Sequence, residues 1–374
     1  MSFARLWAVL VKEFIQMRRD KLTFVMMIGM PIMQLIIFGF AINADPHHLP
    51  TLVEMADTGP LTRAIVEGMR TSEYFDVQGV VTGPAQGDAA LRRGDANFIV
   101  VIPLGFERDV VRGLRPAVLV SADASDPAAS GAAVAALGGI VGQAVADTLT
   151  GALAQKAVSP APVQIVVHKQ FNPEGRTATN IVPGLLAIIM SMTMVMITAV
   201  AIVRESERGT MEALLATPVR PLEVMLGKIT PYVLVGYVQT GVFLIAARGV
   251  FAVPFLGDPW AFFAGFNLYI VANLALGFLI STVARSQMQA MQLSFFTLLP
   301  SILLSGFMFP FAGMPGWAQL IGSAIPATHF LRLTRKVMLK GAGVWDVGPD
   351  MVGIAAIMAV IVVAAMLRYR RTLD

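Results

Sequence analysis

The stretch RESERGTMEALLATPVRPLEVMLGK, residues 204–228, carries four acidic and four basic side chains between two strongly apolar runs. The runs are residues 181–203 and 229–251, and each is long enough to cross a bilayer. A hydrocarbon core of about 30 Å needs roughly 20 apolar residues of helix. The sequence therefore predicts a charged loop between two membrane helices, and this prediction decides the fold class.

Composition supports the same class for the whole chain. The 374 residues are 56% hydrophobic and 14% charged, which is more apolar and less charged than a soluble domain. The charges are segregated, because residues 45–176 hold 10 basic and 14 acidic side chains and the other residues hold 18 and 10. There is no cysteine, which excludes a disulfide, a thiolate nucleophile and a cysteine-ligated metal.

The same length criterion predicts an α-helical polytopic membrane protein with six transmembrane helices. Apolar residues at helical spacing predict an interfacial amphipathic helix over 1–21. Alternating strand-like and helix-like segments predict an α/β domain over 45–178, with 128–158 as a soluble helix because Asp147 is costly inside a bilayer. Prolines break 311–340 into short outer helices. The first transmembrane segment occupies 22–44, and the other five membrane helices lie in 179–374. The six predicted spans are 22–43, 181–203, 229–251, 261–283, 288–310 and 351–367.

The distribution of basic residues predicts the topology. Six spans put both termini on one side of the membrane, and both termini are basic, so the positive-inside rule makes that side the cytoplasm. The loop 204–228 is then cytoplasmic and the α/β domain is extracytoplasmic. One group of basic residues disagrees because it would lie outside, namely Arg332, Arg335, Lys336 and Lys340.

No pattern in the chain predicts catalysis. ATP binding through a phosphate loop requires G-x-x-x-x-G-K-[ST]. Around Gly227 and Lys228, however, Leu222 stands in place of the first glycine and Ile229 in place of Ser or Thr. No carboxylate pair or Ser/His/Asp spacing stands out. The chain is therefore predicted not to be an enzyme, and energy must come from another polypeptide.

A few polar residues outside the spans are of the types that bind metal ions. Asp45, His47 and His48 form a run that a metal would accept, but a solvated run at the exit of a span is the favoured interpretation. Asp123 and Asp126 have the composition of turn formers. We predict no metal site and no nucleic-acid partner.

The charged loop has a local structure that its residues predict. Residues 203–216 have helix-forming composition, Thr217-Pro218 ends the helix, and Pro221 can begin the next one. The pattern R-E-x-E-x-G-T-x-E-x-L-L-x-T-P-V-R-P-x-E-x-x-x-G-K-x-x-P-Y, over residues 204–232, resembles the signature loop of bacterial ABC type-2 permeases. Those proteins are the membrane subunits of ATP-driven exporters, and the resemblance implies that this chain lies in a bacterial plasma (inner) membrane.

The resemblance implies partners and a docking site. It implies two copies of an ABC ATPase that binds ATP and Mg, no cofactor in this chain, and a second permease chain that is identical or a sibling. Whether a periplasmic adaptor protein also binds is left open. The membrane helices themselves contact lipid. The residues that the resemblance assigns to ATPase docking are Arg204, Glu205, Glu207, Arg208, Gly209, Thr210, Glu212, Thr217 and Pro218.

The middles of the spans are essentially without charge, which disfavours an ion-coupled carrier and favours a hydrophobic or amphipathic cargo. Span two carries two methionine pairs on opposite faces, Met190 with Met194 and Met192 with Met196. Methionine suits surfaces that accept many shapes, although simple packing is the favoured interpretation of these side chains. In the resembling family, spans two and five border the central cavity. The predicted substrate path is Met192, Met196, Phe295 and Phe296.

Two functions from different classes follow from these features. The first is the permease subunit of a drug or lipid exporter, driven by a separate ATPase. The alternative is a membrane-anchored receptor or scaffold whose extracytoplasmic domain binds a ligand or an envelope protein. The alternative explains the size of the α/β domain, but it does not explain the five further spans.

Overall fold

A computed structural model describes residues 47–125, 127–149, 163–174, 176–207 and 221–368. This described part contains five β-strands and eleven α-helices. The predicted interfacial helix over 1–21 and the first predicted span over 22–44 lie outside it. So do six predicted docking residues: Arg208, Gly209, Thr210, Glu212, Thr217 and Pro218.

Residues 49–170 contain a five-stranded mixed sheet in the order β2-β1-β3-β4-β5. Neighbouring strands are parallel except for β3 and β4, which are antiparallel. The edge strand β2 was not predicted from the sequence. Only alternate residues of FDVQGV are buried or half-buried, so the segment lacks the continuous apolar run of a buried strand. The elements are β1 Leu49–Met55, α1 Pro60–Thr71, β2 Phe75–Val80, α2 Pro84–Arg93, β3 Phe98–Ile102, α3 Phe106–Arg112, β4 Ala117–Asp123, α4 Pro127–Thr148 and β5 Gln164–Gln170.

Helix α4 corresponds to the apolar segment 128–158, which the sequence predicts to be a soluble helix and not a membrane span. Its residues Leu137, Val141 and Val145 are buried in one core with Leu61 and Ile65 of α1. Burial against the sheet unit removes this apolar surface from water without a bilayer. The packing therefore agrees with the predicted soluble helix.

The remaining helices form the membrane part of the chain. Four described segments are long and apolar enough to cross a membrane: Ala178–Glu207, Tyr232–Gly249, Pro259–Ser281 and Gly348–Arg368. The helices are α5 Thr177–Glu207, α6 Pro221–Gly249, α7 Pro259–Ser281, α8 Gln287–Leu304, α9 Gly316–Ser323, α10 Pro326–Lys340 and α11 Gly348–Arg368.

The predicted fifth span over 288–310 requires a correction. Helix α8 ends at Leu304 and is not among the four candidate spans. Gly306 has a φ of 85°, a left-handed conformation that cannot continue a right-handed helix. The chain then enters the short 3₁₀ helix Phe311–Gly313. The count of six spans stays a prediction.

Helix α7 lies at the centre of the bundle and packs on α5, α10 and α11. A Cβ atom on Gly277 would lie 2.6 Å from the backbone oxygen of Val195, so a larger residue cannot fit there. Close approach through small residues is typical of membrane helices. The Tyr269 ring stacks on Phe330 with centroids 4.1 Å apart, and its hydroxyl donates to the Ala187 carbonyl at 2.7 Å.

Helix α5 connects two distant ends of the molecule. Near its start, Arg335 donates to the Asn180 side chain at 2.9 Å, on the side where α10 meets the α/β unit. At its end, Arg204 donates to Gln287 at 3.3 Å. The 31 residues of α5 rise about 1.5 Å each, so the helix is about 46 Å long. The α/β unit and the start of the charged loop therefore lie at opposite ends of the bundle.

Candidate functional site

The described beginning of the charged loop is fastened to helix α8. Glu207 ends α5, and Gln287 is the first residue of α8. One Glu207 carboxylate oxygen accepts from the Gln287 backbone N–H at 2.8 Å, and the other accepts from its side-chain Nε2 at 2.5 Å. The first N–H groups of a helix lack acceptors within the helix, and the helix dipole favours an anion there. Glu207 satisfies both requirements of α8.

Arg204 adds a second link at the same place. Its Nε donates to the Gln287 Oε1 at 3.3 Å, so the Gln287 amide is held by both an arginine and a glutamate of α5. Arg204 and Glu207 are exposed and Glu205 is half-buried. These three are the predicted docking residues that the structure describes. Two residues of the last turn of α5 therefore contact the first residue of α8.

The predicted substrate path lies on the two helices that this link joins. Met190 and Met194 are completely buried, whereas Met192 is 39% exposed and Met196 is half-buried. The two methionine pairs of α5 therefore separate onto an inner and an outer face, as their spacing predicts.

Helix α8 presents the other two residues of the predicted path. Phe295 is 48% exposed and Phe296 is half-buried. Helices α5 and α8 pack against each other. The bundle thus offers flexible thioether and aromatic side chains on its outer surface, which suits an apolar cargo.

Uncharged hydrogen bonds hold α5 behind this surface. Ser191 donates to the Asn273 Oδ1 at 2.7 Å, which joins α5 to α7, and Gln239 of α6 donates to Thr193 at 3.1 Å. Hydrogen bonds between membrane helices are worth roughly 0.6–2 kcal/mol each. These polar residues therefore stabilise the packing of α5 against α6 and α7.

The opposite end of the bundle contains a buried ion pair that the sequence did not predict. The Lys340 ammonium of α10 donates to the Asp123 carboxylate at the end of β4, and the two side chains are only 6% and 7% exposed. Lys340 also donates to the Leu91 carbonyl at 3.2 Å. Asp123 accepts from the Ser125 backbone N–H at 3.0 Å as well, so it does form the predicted turn.

The other basic residues of α10 also have structural contacts. Lys336 pairs with Asp350 of α11 at 2.9 Å. Arg335 donates to the Gly306 carbonyl at 3.2 Å. The basic segment that disagrees with the charge rule is therefore built into the junction between the α/β unit and the helices.

Arg332 differs from its neighbours. Its guanidinium carbon lies 4.8 Å from the centre of the Phe311 ring. Burial lowers the pKa of Arg332 below its ordinary value, while the Asp350 carboxylate opposes this shift. An arginine remains charged at neutral pH in spite of such a shift, so Arg332 is a cation at this junction.

The structure describes only part of the run Asp45, His47 and His48. Asp45 lies outside the described residues. The His47 Nδ1 atom lies 3.6 Å from the Glu73 carboxylate, and its ring packs on Tyr74 with centroids 5.4 Å apart. His48 has a φ of 54°. The described part of this run is therefore packed on the α/β unit.

The fold and the site together define a multi-pass helical membrane protein that carries a compact α/β unit at one end of its bundle. Comparison with known proteins then gives the family. The chain belongs to the ABC-2 family transporter proteins, because the model of that family matches residues 21–367.

Three relatives show how far the similarity extends. The probable multidrug ABC transporter permease YbhS of Escherichia coli (strain K12) is 29% identical over 345 residues, covering 91% of this chain and 90% of that protein. The inner membrane transport permease YhhJ of the same strain is 30% identical over 361 residues, covering 91% and 93%. ABC transporter G family member 20 of Dictyostelium discoideum is 24% identical, and the match covers 89% of this chain and 46% of that protein. No solved structure gives a significant match.

Family membership shows which subunit crosses the membrane and which subunit hydrolyses ATP. Members of this family are the transmembrane subunits of ABC transporters, and ATP hydrolysis is carried out by a separate ATPase. This chain is therefore a membrane permease with an ATPase partner.

Proposed function

We propose that this chain is the permease subunit of an exporter that moves a hydrophobic or amphipathic substrate, drug-like or lipid-like, out of the cytoplasm or the inner leaflet. The observation that carries the proposal is the double hydrogen bond between Glu207 and Gln287. It joins the start of the charged loop to a helix that presents Phe295 on its outer surface. The printed name of the relative YbhS, a probable multidrug permease, supports the drug-like class.

The mechanism is alternating access driven from the loop. The ATPase docks on residues 204–228, and its closure on ATP displaces the end of α5. The links from Arg204 and Glu207 to Gln287 carry this displacement to α8. The two helices then move their outward side chains together. Met192, Met196, Phe295 and Phe296 contact the cargo along this path.

We place the protein in the bacterial inner membrane, with both termini and the loop 204–228 in the cytoplasm and the α/β unit outside. Support comes from α5, whose length of about 46 Å separates the start of the loop from the end of the bundle that carries the α/β unit. That distance exceeds the hydrocarbon core of about 30 Å. One membrane can therefore separate the two.

The complete transporter has two permease chains and two ATPase subunits, and the ATPase subunits bind ATP and Mg. The second permease is a copy of this chain or a sibling. Helices α6 and α11 have room for contacts outside the chain, because only 17% of the apolar stretch of each helix is buried within it. Their apolar outer faces meet lipid or the second permease. The resemblance leaves open a periplasmic adaptor, which would join the complex from the side of the α/β unit.

Charge reversal in the loop tests the docking role. The chain is co-expressed with its partner ATPase, and the variant carries Glu207→Lys and Glu212→Lys. We expect export and permease-dependent ATPase activity to fall by about tenfold or more, because like charges across an interface cost several kcal/mol. Both activities are measured in vesicles with the purified complex.

Glu67→Lys is the matched control, since Glu67 is an exposed acid on α1 of the α/β unit. The control should transport normally. Normal export by the double loop variant would exclude the docking role, whatever the control does.

A further inference from the structure

A cavity of about 490 Å³ lies between the α/β unit and the helical part of the chain. Its walls come from the start of β1, the turn before β3, the segment after α8, helix α10 and the start of α11. The volume is within the range of about 300–1,000 Å³ that is usual for small-molecule sites. We call it the Arg332 cavity, and it is separate from the predicted docking loop and substrate path.

The wall of the Arg332 cavity is rich in charge. Five basic and four acidic side chains line it. Burying charges is costly unless they are paired or hydrogen-bonded, so their partners decide what the cavity can bind. Carboxylates neutralise three of the basic groups: Arg93 with Asp95 at 2.7 Å, Lys336 with Asp350 at 2.9 Å, and Lys340 with Asp123.

Arg332 forms no ion pair with a carboxylate in the described part of the chain, although the charge of Asp350, which pairs with Lys336, also acts on it. Its Nε atom is buried without a hydrogen bond there, and its recorded close contact is the face of Phe311. A ring face attracts the positive charge, but it does not satisfy the five in-plane N–H donors of a guanidinium. A buried donor without an acceptor destabilises the folded protein. Arg332 is therefore a cation with a buried Nε–H donor that has no acceptor in the described part of the chain.

The same cavity has an apolar side. Phe311, Leu331 and Pro310 contribute to its wall. Trp345 also lines it and is 94% exposed, although tryptophan is a large aromatic residue that is usually well buried. An exposed tryptophan beside a charged group is typical of a boundary between water and lipid. The cavity thus combines a cationic donor with an adjoining hydrophobic surface.

We propose that the Arg332 cavity binds the phosphate group of an anionic amphiphile, with Arg332 as the main donor and with Phe311 and Trp345 against the hydrocarbon part. The planar fork of arginine matches phosphate oxygens in a bidentate manner. A free phosphate ion would fill only a small part of about 490 Å³, which favours a phosphate attached to an apolar tail. The proposal goes beyond export and does not depend on the direction of transport.

Binding to the purified full-length chain in neutral detergent tests the proposal. The probes are dioctanoyl phosphatidic acid, dioctanoylglycerol as its uncharged counterpart, and inorganic phosphate. We expect phosphatidic acid to bind at least about tenfold more tightly than dioctanoylglycerol, because a hydrogen bond to a charged group is worth about 1.5–3 kcal/mol. Arg332→Gln should weaken its binding by a similar factor. Arg248→Gln, an exposed arginine that does not line the cavity, should leave it unchanged.

The probes also separate the two sources of phosphate. Weaker binding of inorganic phosphate than of phosphatidic acid supports an amphiphile, and equal binding assigns the site to a free phosphate and overturns the amphiphile part. Equal binding of phosphatidic acid by wild type and Arg332→Gln overturns the site itself. If Arg332→Gln does not fold, Arg332→Lys retains the charge and should still bind more weakly. A photoreactive phosphatidic acid should label residues 310–345 of the wild type, which include Phe311, Arg332 and Trp345. Labelling confined to residues that do not line the cavity contradicts the proposal.

Discussion

At the scale of single residues, the pair Lys340 and Asp123 joins the α/β unit to helix α10. Both side chains are more than nine-tenths buried. Removing one partner of such a pair leaves an unpaired buried charge, which costs about 3–5 kcal/mol. Lys340 also contacts the Leu91 carbonyl and lies 5.3 Å from the centre of the Phe171 ring. This lysine is therefore in contact with several elements of the α/β unit.

Lys340→Met should lower the free energy of unfolding by about 3 kcal/mol or more. The stranded carboxylate of Asp123 is the physical reason. Thermal unfolding of the purified protein in detergent measures the change. The double variant with Lys340→Met and Asp123→Leu should recover most of the loss, because apolar replacements of a buried pair are often neutral. A single variant as stable as wild type would contradict this role.

At the scale of secondary structure, helix α5 has two different faces. Met190 and Met194 belong to the bundle core, whereas Met192 lies on the outer side. The last turn of the same helix holds α8 through Glu207. One helix thus combines an interior face, an outer face that carries proposed cargo residues, and a link to the start of the charged loop.

Met190→Ala and Met192→Ala distinguish these faces. Met190→Ala should lower the free energy of unfolding by about 2–5 kcal/mol, because it opens a cavity in the core. Met192→Ala should change stability by less than about 1 kcal/mol but should alter the transport rate or the range of cargo. Thermal unfolding and vesicle transport provide the two measurements. The pair is matched in residue type and helix, so the opposite ranking of the two stabilities would contradict the assignment of faces.

At the scale of the whole molecule, α5 sets the α/β unit apart from the charged loop. Lys340 holds the unit against α10 through an ion pair with Asp123 and a hydrogen bond to the Leu91 carbonyl, so the unit is packed on the bundle. A receptor or scaffold needs only an anchor. A unit that contacts the transport helices fits better with a permease in which both ends respond to one conformational change.

The absence of cysteine allows a direct test of topology. Leu114→Cys places a thiol at a position that is 64% exposed in the α/β unit. Thr217→Cys places one in the loop 204–228. A membrane-impermeant maleimide applied to intact spheroplasts should label the first and spare the second, and inside-out vesicles should give the reverse. Labelling of both positions from the same side would contradict the proposed topology.

Several features could be predicted from the sequence because they depend on local pattern. Apolar length predicted membrane helices, and family membership confirms a multi-pass permease. The loop motif led to the family for the same reason, since a motif is a property of consecutive residues. The two faces of α5 followed from helical spacing. The end of α8 was wrong by six residues, because apolar composition continues to Pro310 while the backbone turns at Gly306.

Other features depend on residues that are distant in the chain, and these only the tertiary structure decided. Asp123 and Lys340 are 217 positions apart, and Glu207 and Gln287 are 80 apart. No local pattern encodes such partners, because the free energy of an ion pair depends on burial and distance, and both arise only when the elements pack. The sequence by itself determined that this is a membrane permease with a charged loop. Packing determined how that loop is joined to α8 and why four basic residues of α10 lie at the junction with the α/β unit.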